Sequence, residues 1–310
     1  MAVNPDGWDL VTGGAGFIGS HLVEALVLRG RRVAVVDSLA EGRLANLARV
    51  ASDVDVLSVD TRDTSWWPRL DGRTIDRVFH LAANASVPRS AEDPVHDLTV
   101  NVLGSLNMLR LAKRAGALLL YVSSAAVYGT PDYTPTDESH PTRPVSAYGA
   151  SKLAGEGYVG MFHRTYGLDT RIVRYFNCYG PRQPRYVLHD FLQKARSDAH
   201  DFEVLGSGTQ VRCQLHVDDA VRATLLVAER GDAEPVNVGS DVSFDVLSLA
   251  RRVLQATGRT DKRIVTTGSS WPGDIPALIP DLTRLRDLGF APTISLDAGL
   301  SAMVASWPTA

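Results

Sequence analysis

A glycine-rich turn near the amino terminus constrains the fold more than any other feature of this chain. The segment LVTGGAGFIGSHL places Gly13, Gly16 and Gly19 between an apolar stretch and a helical pattern, as in a strand that turns directly into a helix. Glycine there permits a tight turn, close approach of a pyrophosphate and close helix packing, while the helix amino terminus attracts phosphate. The pattern predicts a dinucleotide-binding site.

An acidic residue ends the second predicted strand, RVAVVD. This residue, Asp37, follows the glycines at the distance of about 20 residues that the motif requires. A carboxylate at this point can bind the adenosine ribose hydroxyls and would repel a 2′-phosphate. We therefore expect the cofactor to be NAD rather than NADP.

Short apolar strands alternate with helical patterns through the first 180 or so residues, as in many parallel sheets. Strands that are apolar on both faces predict a sheet covered by helices on both sides, here a doubly wound α/β fold with its ligand at the carboxyl ends of the strands. The predicted strands are 8–13, 32–37, 54–60, 77–83, 118–124 and 169–177, and the predicted helices between them include 20–29, 94–115 and 147–166.

The pattern changes after residue 177, where the chain becomes rich in Pro, Gly and Arg. We predict a NAD-binding domain over 1–177, completed by parts of 211–240, and a smaller C-terminal substrate lobe over 178–310. The predicted elements of the later chain are helices at about 187–197, from Asp218 and from Phe244, with strands at 203–206 and 235–239.

Composition narrows the functional classes. The 310 residues are 45% hydrophobic and 22% charged, with a net charge of −3, which gives no electrostatic reason to expect nucleic acid or an anionic membrane as partner. The amino terminus lacks the pattern of a signal peptide and no apolar run is long enough to span a bilayer, so we expect a cytoplasmic protein. Cys178 and Cys213 show no metal-binding spacing, and His80, inside an apolar strand, is expected to be buried and hydrogen-bonded.

Tyr148 and Lys152 lie four residues apart in the predicted helix of SAYGASKLAGE, which places both side chains on one face. A free phenol, with a pKa of about 10, is too weakly acidic to act as a base at neutral pH. A neighbouring ammonium and the positive nicotinamide ring would lower that pKa toward the working range. Together with the glycine turn and the serines of SSAAVYG, the pair predicts an oxidoreductive site.

Several motifs occur together in order: TGGAGFIG, Asp37, HLAANASVPRS, NVLGSLNML, SSAAVYG, YGASK and RYFNCYGPRQ. The chain in this respect resembles the extended short-chain dehydrogenase/reductase family that acts on nucleotide sugars. The resemblance implies a Rossmann domain of about seven parallel strands, tightly held NAD, a UDP-sugar or similar substrate, and a homodimer formed through two helices of each subunit. We expect no metal, because neither the cysteines nor the eight histidines show metal-ligand spacing.

The same resemblance implies roles for individual residues. Tyr148 would be the base, and Lys152 would be its partner and a ligand of the nicotinamide ribose. Ser124 would supply the hydroxyl that hydrogen-bonds the sugar. The residues implied to contact NAD are Gly13, Gly16, Phe17, Ile18, Gly19, Asp37, Asp60, Ala82, Ala83, Asn101, Ser123, Tyr148 and Lys152. Those implied to contact the substrate are Ser86, Ser124, Ala125, Asn177, Arg212 and Leu278, the last beside the sugar.

The residues after Ser124 indicate which reaction follows. The family's shared first step oxidises the sugar at C4 to a 4-keto intermediate with enzyme-bound NADH. Members that eliminate water across C5 and C6 carry an acid pair directly after this serine, where the present chain has Ala125 and Ala126. Alanine can neither remove nor supply a proton, so the pattern argues against a 4,6-dehydratase and favours a nucleotide-sugar 4-epimerase.

Three departures from the epimerase pattern leave alternatives open. Cys213 follows Arg212 where epimerases have aspartate, Trp271 stands where they have arginine, and His189 replaces a proline. Arg212-Cys213 is similar to UDP-glucuronate decarboxylases, in which C4 oxidation precedes loss of CO₂. That group normally carries glutamate at the position of Ala126. A protein that binds NAD without turnover is the second alternative.

Overall fold

Strands and helices alternate along the chain in the computed structural model of the protein, which describes residues 6–269 and 275–307. The strands are β1 (Trp8–Thr12), β2 (Arg32–Asp37), β3 (Val54–Ser58), β4 (Ile75–His80), β5 (Leu118–Ser124), β6 (Thr170–Tyr175), β7 (Cys178–Tyr179), β8 (Asp201–Val204), β9 (Val211–Cys213), β10 (Leu215–His216), β11 (Pro235–Val238), β12 (Ser243–Asp245), β13 (Arg263–Thr266) and β14 (Ala277–Leu278). The α-helices are α1 (Phe17–Leu28), α2 (Val87–Glu92), α3 (Pro94–Leu98), α4 (Gly104–Ala115), α5 (Ala147–Tyr166), α6 (Val187–Arg196), α7 (Val217–Arg230), α8 (Val246–Ala256), α9 (Thr283–Asp287) and α10 (Leu296–Ser306).

A seven-stranded sheet organises the first part of the fold, with strand order β11-β6-β5-β4-β1-β2-β3. The pairings among β1 to β6 are parallel. The chain runs outward from β1 to β3 on one side and from β4 to β6 on the other. The predicted doubly wound α/β fold is therefore confirmed. Ligands of such sheets bind at the carboxyl ends of the strands where this direction reverses, here between β1 and β4.

The predicted helix over 94–115 is interrupted in the structure. Helix α3 is followed by a π-helical turn over Thr99–Leu103 and then by α4. Asn101 lies inside this turn, and its side-chain amide is buried and hydrogen-bonded. Gly104 follows the turn, and a Cβ there would lie 2.6 Å from the hydroxyl oxygen of Thr61. Long-range packing and polar contacts thus accompany the irregular turn, as is common at functional sites.

The helix predicted to start at Phe244 begins instead at Val246. Phe244 lies in strand β12, which pairs antiparallel with β9. The side chain of Asp245 then accepts a hydrogen bond from the N–H of Ser248 at 2.7 Å and caps helix α8. The pairing with β9 therefore delays the helix by two residues.

The chain divides into two compact units. The first contains the chain up to Gly129 together with Pro141–Tyr175 and Val221–Val236, and the second contains Thr130–His140, Phe176–Ala220 and the chain from Asn237 onward. In the first, α4 and α5 pack on the sheet through Met108, Leu109, Tyr121, Val159 and Phe162, among others. In the second, α6, α8 and α10 share a core that includes Leu192, Leu249, Val253 and Leu300.

The assignment of cofactor binding to the first part of the chain and substrate binding to the second stays a prediction. Among the residues that the structure describes, no helix is long and apolar enough to cross a bilayer.

Candidate active site

The glycine turn closes tightly at the carboxyl end of β1. Gly13 has a φ of +69°, which glycine adopts without strain, and its N–H donates to the carbonyl oxygen of Val36 at 2.8 Å. A Cβ atom on Gly13 would lie 2.8 Å from the amide nitrogen of Ala82, and one on Gly19 would lie 2.1 Å from the carbonyl oxygen of Gly13. A side chain at either position would therefore force backbone atoms apart.

Helix α1 begins directly after this turn and presents its amino terminus there. Its N-cap is Gly16, a residue with no side chain to cap the first turn, and Phe17 and Ile18 are half-buried at its start. The backbone N–H groups at a helix start, together with the positive end of the helix dipole, stabilise phosphate. The turn and helix start fit the pyrophosphate of NAD.

Asp37 lies at the carboxyl end of β2, beside the glycine turn. Its carboxylate accepts hydrogen bonds from the N–H groups of Ala15 at 2.9 Å and Leu39 at 2.8 Å. Burial raises the pKa of Asp37, and these two donors oppose that shift. The backbone of Leu39, with φ of +59°, holds its N–H toward the carboxylate. The arrangement fits a site for ribose hydroxyls and disfavours a second phosphate.

Asp60, one of the residues expected to contact NAD, follows β3. Its carboxylate pairs with the guanidinium of Arg62 at 2.7 Å, and this hydrogen bond lowers the pKa of Asp60 against the effect of burial. The pair keeps the Asp60 side chain ionised and in place.

The loop after β4 holds Ala82 and Ala83. The N–H of Ala82 donates to the hydroxyl of Thr12 at 3.1 Å, which ties this loop to the glycine turn. Asn101 is fully buried, and its side-chain oxygen accepts from the N–H of Asn84 at 2.8 Å. In this structure Asn101 therefore supports the loop beneath the predicted cofactor contacts.

The two serines at the end of β5 point to different partners. Ser123 is buried and donates its hydroxyl proton to the carboxylate of Glu156 at 2.5 Å. Ser124 is half-buried and accepts a hydrogen bond from the N–H of Ala126 at 3.2 Å, where it caps a 3₁₀ turn over Ala125–Val127. Ser124 is thus the serine whose hydroxyl lies at the carboxyl end of β5.

Helix α5 carries Tyr148 and Lys152 in its first two turns and packs closely on the 3₁₀ turn. A Cβ on Gly149 would lie 2.5 Å from the carbonyl oxygen of Ala126, so the backbones meet beside Tyr148. Lys152 is 2% exposed and donates to the carbonyl oxygen of Val122 at 2.9 Å. The structure therefore brings the predicted Tyr148 and Lys152 to the end of the strand that carries Ser124.

Burial also determines the charge state of the lysine. It lowers the pKa of Lys152 to about 8, while the charges of Asp97 and Glu156 oppose this shift. The ammonium lies 5.1 Å from the centre of the Tyr121 ring. Lys152 therefore keeps its charge at neutral pH, as a partner of a catalytic phenol requires.

Two acidic residues beneath the site were not predicted. Glu156 pairs with Arg174 on β6 through contacts of 2.9 and 2.7 Å, and Arg174 also donates to the hydroxyl of Tyr128 at 2.9 Å. Asp97 lies fully buried on α3. Glu156 lies four residues after Lys152 on α5, and this spacing on one helix face could have identified it. The only sequence signal for Asp97 is its separation of four residues from Asn101.

Ser86 and Ala125, both expected near the substrate, are largely buried in the structure. Ser86 is the N-cap of α2 and accepts from the N–H of Arg89 at 3.4 Å. Ala125 opens the 3₁₀ turn after β5. Both therefore have a local structural role, and their contact with the substrate stays a prediction.

The second unit places the other predicted substrate residues. Leu278 on β14 lies opposite Arg212 on β9 in a parallel pair. The guanidinium of Arg212 donates to the carbonyl oxygen of Val211 at 2.9 Å. Asn177 precedes β7, and its carbonyl oxygen accepts from the N–H of Leu215 at 2.9 Å. Arg212 and Leu278 are thus neighbours, while Asn177 lies at the adjoining β7–β10 pair.

The departures from the epimerase pattern have different surroundings. Cys213 is buried, and burial raises the pKa of its thiol to about 11, so it packs as a neutral side chain. The ring of His189 packs against that of Trp307 with ring centres 4.8 Å apart and planes tilted by 48°. Trp271 lies outside the described residues.

The fold and site together define a NAD-dependent enzyme of the extended short-chain dehydrogenase/reductase class. The chain belongs to the NAD dependent epimerase/dehydratase family, whose model matches residues 10–239. This confirms the resemblance drawn from the motifs, and NAD is the cofactor of the family.

Individual relatives carry different reactions. The chain is 34% identical to a putative UDP-glucose 4-epimerase of Methanocaldococcus jannaschii, over 95% of this chain and 96% of the relative. It is also 34% identical to UDP-glucuronic acid decarboxylase 1 of Arabidopsis thaliana, over 96% of this chain and 69% of the relative.

Solved structures show the same spread. A UDP-glucose 4-epimerase of Thermotoga maritima with UDP-glucose aligns with a TM-score of 0.90 at 35% identity, over 96% of this chain and 98% of that one. The dTDP-glucose 4,6-dehydratase DesIV of Streptomyces venezuelae with NAD bound aligns with a TM-score of 0.87 at 34% identity, over 96% of both chains. The fold therefore defines the family and leaves the reaction to local residues.

The glycine turn provides a test of cofactor binding. We expect Gly19→Ala to weaken NAD binding by at least about 10-fold, because the new Cβ would collide with the carbonyl oxygen of Gly13. Calorimetric titration of cofactor-free protein with NAD measures the effect. Gly157→Ala on α5 is the matched control, since a Cβ there has no atom within 4 Å. Equal NAD affinity in both variants would contradict the assignment.

Proposed function

We propose that the protein is a nucleotide-sugar 4-epimerase that acts on a UDP-sugar. When bound, NAD would supply the reversible removal and return of hydrogen at C4 of the sugar. The chain's own residues would handle the proton of the 4-hydroxyl. The protein belongs to a family with NAD-dependent sugar epimerases, and the proposal concerns which of the family's reactions it performs.

Tyr148 is the proposed base that takes the proton of the 4-hydroxyl and later returns it. The charge of Lys152, four residues along the same helix, favours the phenolate form of such a tyrosine. Ser124 would form a hydrogen bond to the same sugar hydroxyl from the carboxyl end of β5, where its side chain is half-buried. With NAD as the acceptor and donor of the hydride, these three side chains would be sufficient for the proton transfer in oxidation and reduction at C4.

The observation that carries the proposal is the pair of alanines after Ser124. Ala125 and Ala126 form the 3₁₀ turn that packs on α5 beside Tyr148. An elimination across C5 and C6 needs one group to remove a proton and another to protonate the leaving hydroxyl. Alanines supply neither group, while epimerisation needs only that the ketone turn over before hydrogen returns to its other face.

Substrate binding is proposed for the second unit. Arg212 and Asn177 would contact the nucleotide diphosphate, for which a guanidinium provides charge-assisted hydrogen bonds. Leu278, beside Arg212 in the β9–β14 pair, would lie near the sugar. We also propose that the protein forms a homodimer.

Decarboxylation of a UDP-glucuronate is the second candidate. Its support is the 34% identity to a UDP-glucuronic acid decarboxylase and the Arg212-Cys213 sequence. A β-keto acid formed by C4 oxidation loses CO₂ with less assistance than C5 deprotonation requires. The absence of a carboxylate at Ala126 disfavours this reaction.

One experiment distinguishes these reactions. The protein is incubated separately with UDP-glucose, UDP-galactose, UDP-N-acetylglucosamine and UDP-glucuronate, and products are identified by mass spectrometry and NMR. We expect a C4 epimer of unchanged mass from at least one sugar. Release of CO₂ with a pentose product would support the decarboxylase instead. No product from any sugar, with NAD bound, would indicate a non-catalytic protein.

A further inference from the structure

A buried carboxylate lies behind the proposed catalytic helix. Asp97 on α3 is 0% exposed. One of its oxygens accepts hydrogen bonds from the amide nitrogens of Asn84 at 3.0 Å and Asn101 at 3.1 Å. The other accepts from the hydroxyl of Ser151 at 2.6 Å. Three donors suit a carboxylate, which only accepts hydrogen bonds when ionised.

These donors connect Asp97 to the helix turn that carries the lysine. Ser151 is the residue directly before Lys152 on α5, and its hydroxyl oxygen also accepts from the amide nitrogen of Asn101 at 2.9 Å. Asn101 lies in the π-helical turn that follows α3. Asp97 therefore joins α3, the π-helical turn and α5 at one point.

The same helix is anchored from α2. The N–H of Tyr148 donates to the hydroxyl of Ser90 at 3.1 Å, and that hydroxyl donates to the carbonyl oxygen of Val87 at 2.7 Å. Tyr148 is thus held through its own backbone. The contact of Asp97 is one turn later on α5, next to Lys152.

Among the titratable groups around Lys152, Asp97 is the carboxylate that accepts hydrogen bonds only from neutral donors. Glu156 on α5 is paired with Arg174. Burial, helped by the positive charge of Lys152, lowers the pKa of His80 on β4 to about 3, so the imidazole is neutral. Burial raises the pKa of Tyr121 on β5, so its phenol is neutral as well.

We propose that Asp97 is a positioning residue for Lys152. Its buried carboxylate holds the turn of α5 that carries the lysine, through Ser151, and balances the charge of the buried ammonium. Buried charges are stable only when another charge or hydrogen bonds compensate them. The catalytic part of this inference rests on the proposed function, whereas the charge balance does not.

The charge balance is tested directly on ligand-free protein. The chain has four lysines, Lys113, Lys152, Lys194 and Lys262, so protein labelled with ¹³C at lysine Cε yields few NMR signals, and Lys152→Met assigns that of Lys152. We expect Asp97→Asn to lower the titration midpoint of Lys152 by at least about 1 pH unit. The signal of Lys194, a half-buried lysine of α6 that pairs with Asp190, should not move.

A control separates charge from hydrogen bonding. Ser151→Ala removes one donor to Asp97 but keeps its carboxylate, so the midpoint of Lys152 should move less than in Asp97→Asn. An unchanged midpoint in Asp97→Asn overturns the proposal. If both Asp97→Asn and Asp97→Thr fail to fold, the carboxylate has a purely structural role and the proposal is also rejected.

Turnover gives the second readout. Since the lysine must be charged, activity should fall as pH rises through the pKa of Lys152, and in Asp97→Asn this fall should begin at lower pH. The ratio of wild-type to variant kcat/KM should therefore increase from about pH 6.5 to about pH 8.5, an interval that includes the pKa of Lys152 of about 8. A ratio constant with pH would overturn the catalytic part. If no sugar is turned over, the proposed function fails while the NMR result still decides the charge balance.

Discussion

Tyr148→Phe should lower turnover of the nucleotide sugar by about 10²–10⁴-fold, the range that a general acid–base group contributes. The change removes only the phenolic oxygen that would exchange a proton with the sugar hydroxyl. NAD should stay bound, because the glycine turn, Asp37 and Lys152 are untouched. The measurements are the rate of product formation and the NAD content of the purified variant.

A second tyrosine on the same helix provides the matched control. Tyr158 is 38% exposed and lies more than two turns further along α5. Tyr158→Phe therefore also removes a phenolic oxygen, but at a position distant from the carboxyl end of β5. Its rate should equal that of the unmodified protein. If Tyr148→Phe also keeps its rate, Tyr148 is not the base and the mechanism is wrong.

Glu156→Gln should reduce the free energy of unfolding by about 3–5 kcal/mol, the cost of removing one partner of a buried ion pair. The guanidinium of Arg174 would remain buried, having lost the carboxylate charge that lies 2.7 Å away. The hydroxyl of Ser123 would also lose its charged acceptor. Urea unfolding followed by circular dichroism measures the change.

Three further variants, Glu229→Gln, Arg174→Met and the double variant of Glu156→Gln with Arg174→Met, test the origin of this loss. Glu229→Gln removes a carboxylate from a pair with Arg29 in which both side chains are nearly half exposed, and should change stability little. Adding Arg174→Met to Glu156→Gln should cost less than the two single changes summed, because the unpaired charge disappears. Strict additivity would show that the pair does not act as a unit.

Local features of this protein were predictable from sequence. The strand ends at Asp37 and Ser124 and the whole of helix α5 lie where the periodicity predicted them. His80 is buried and bonded through both ring nitrogens, as expected, to Thr12 at 2.7 Å and Ser105 at 2.9 Å. Each of these follows from neighbours close in sequence or from the burial of an apolar strand.

The irregular turn around Asn101 was not predictable in the same way. The sequence from 94 to 115 has an uninterrupted helical pattern, and the π-helical turn occurs where Asn101, Ser105 and Gly104 meet residues far away in the chain. Helical periodicity describes one helix in isolation and does not include the partners that its faces will meet.

The sequence by itself determined the dinucleotide turn, the Tyr148–Lys152 face and the two alanines after Ser124, because these depend on residue type and on spacings of a few residues. Only the tertiary structure decided that Ser123 donates to Glu156 while Ser124 stays at the carboxyl end of β5, and that Asp97 accepts a hydrogen bond from Ser151, 54 positions away. Hydrogen bonds between such distant residues form only once the sheet has brought its helices together, so no local pattern encodes them.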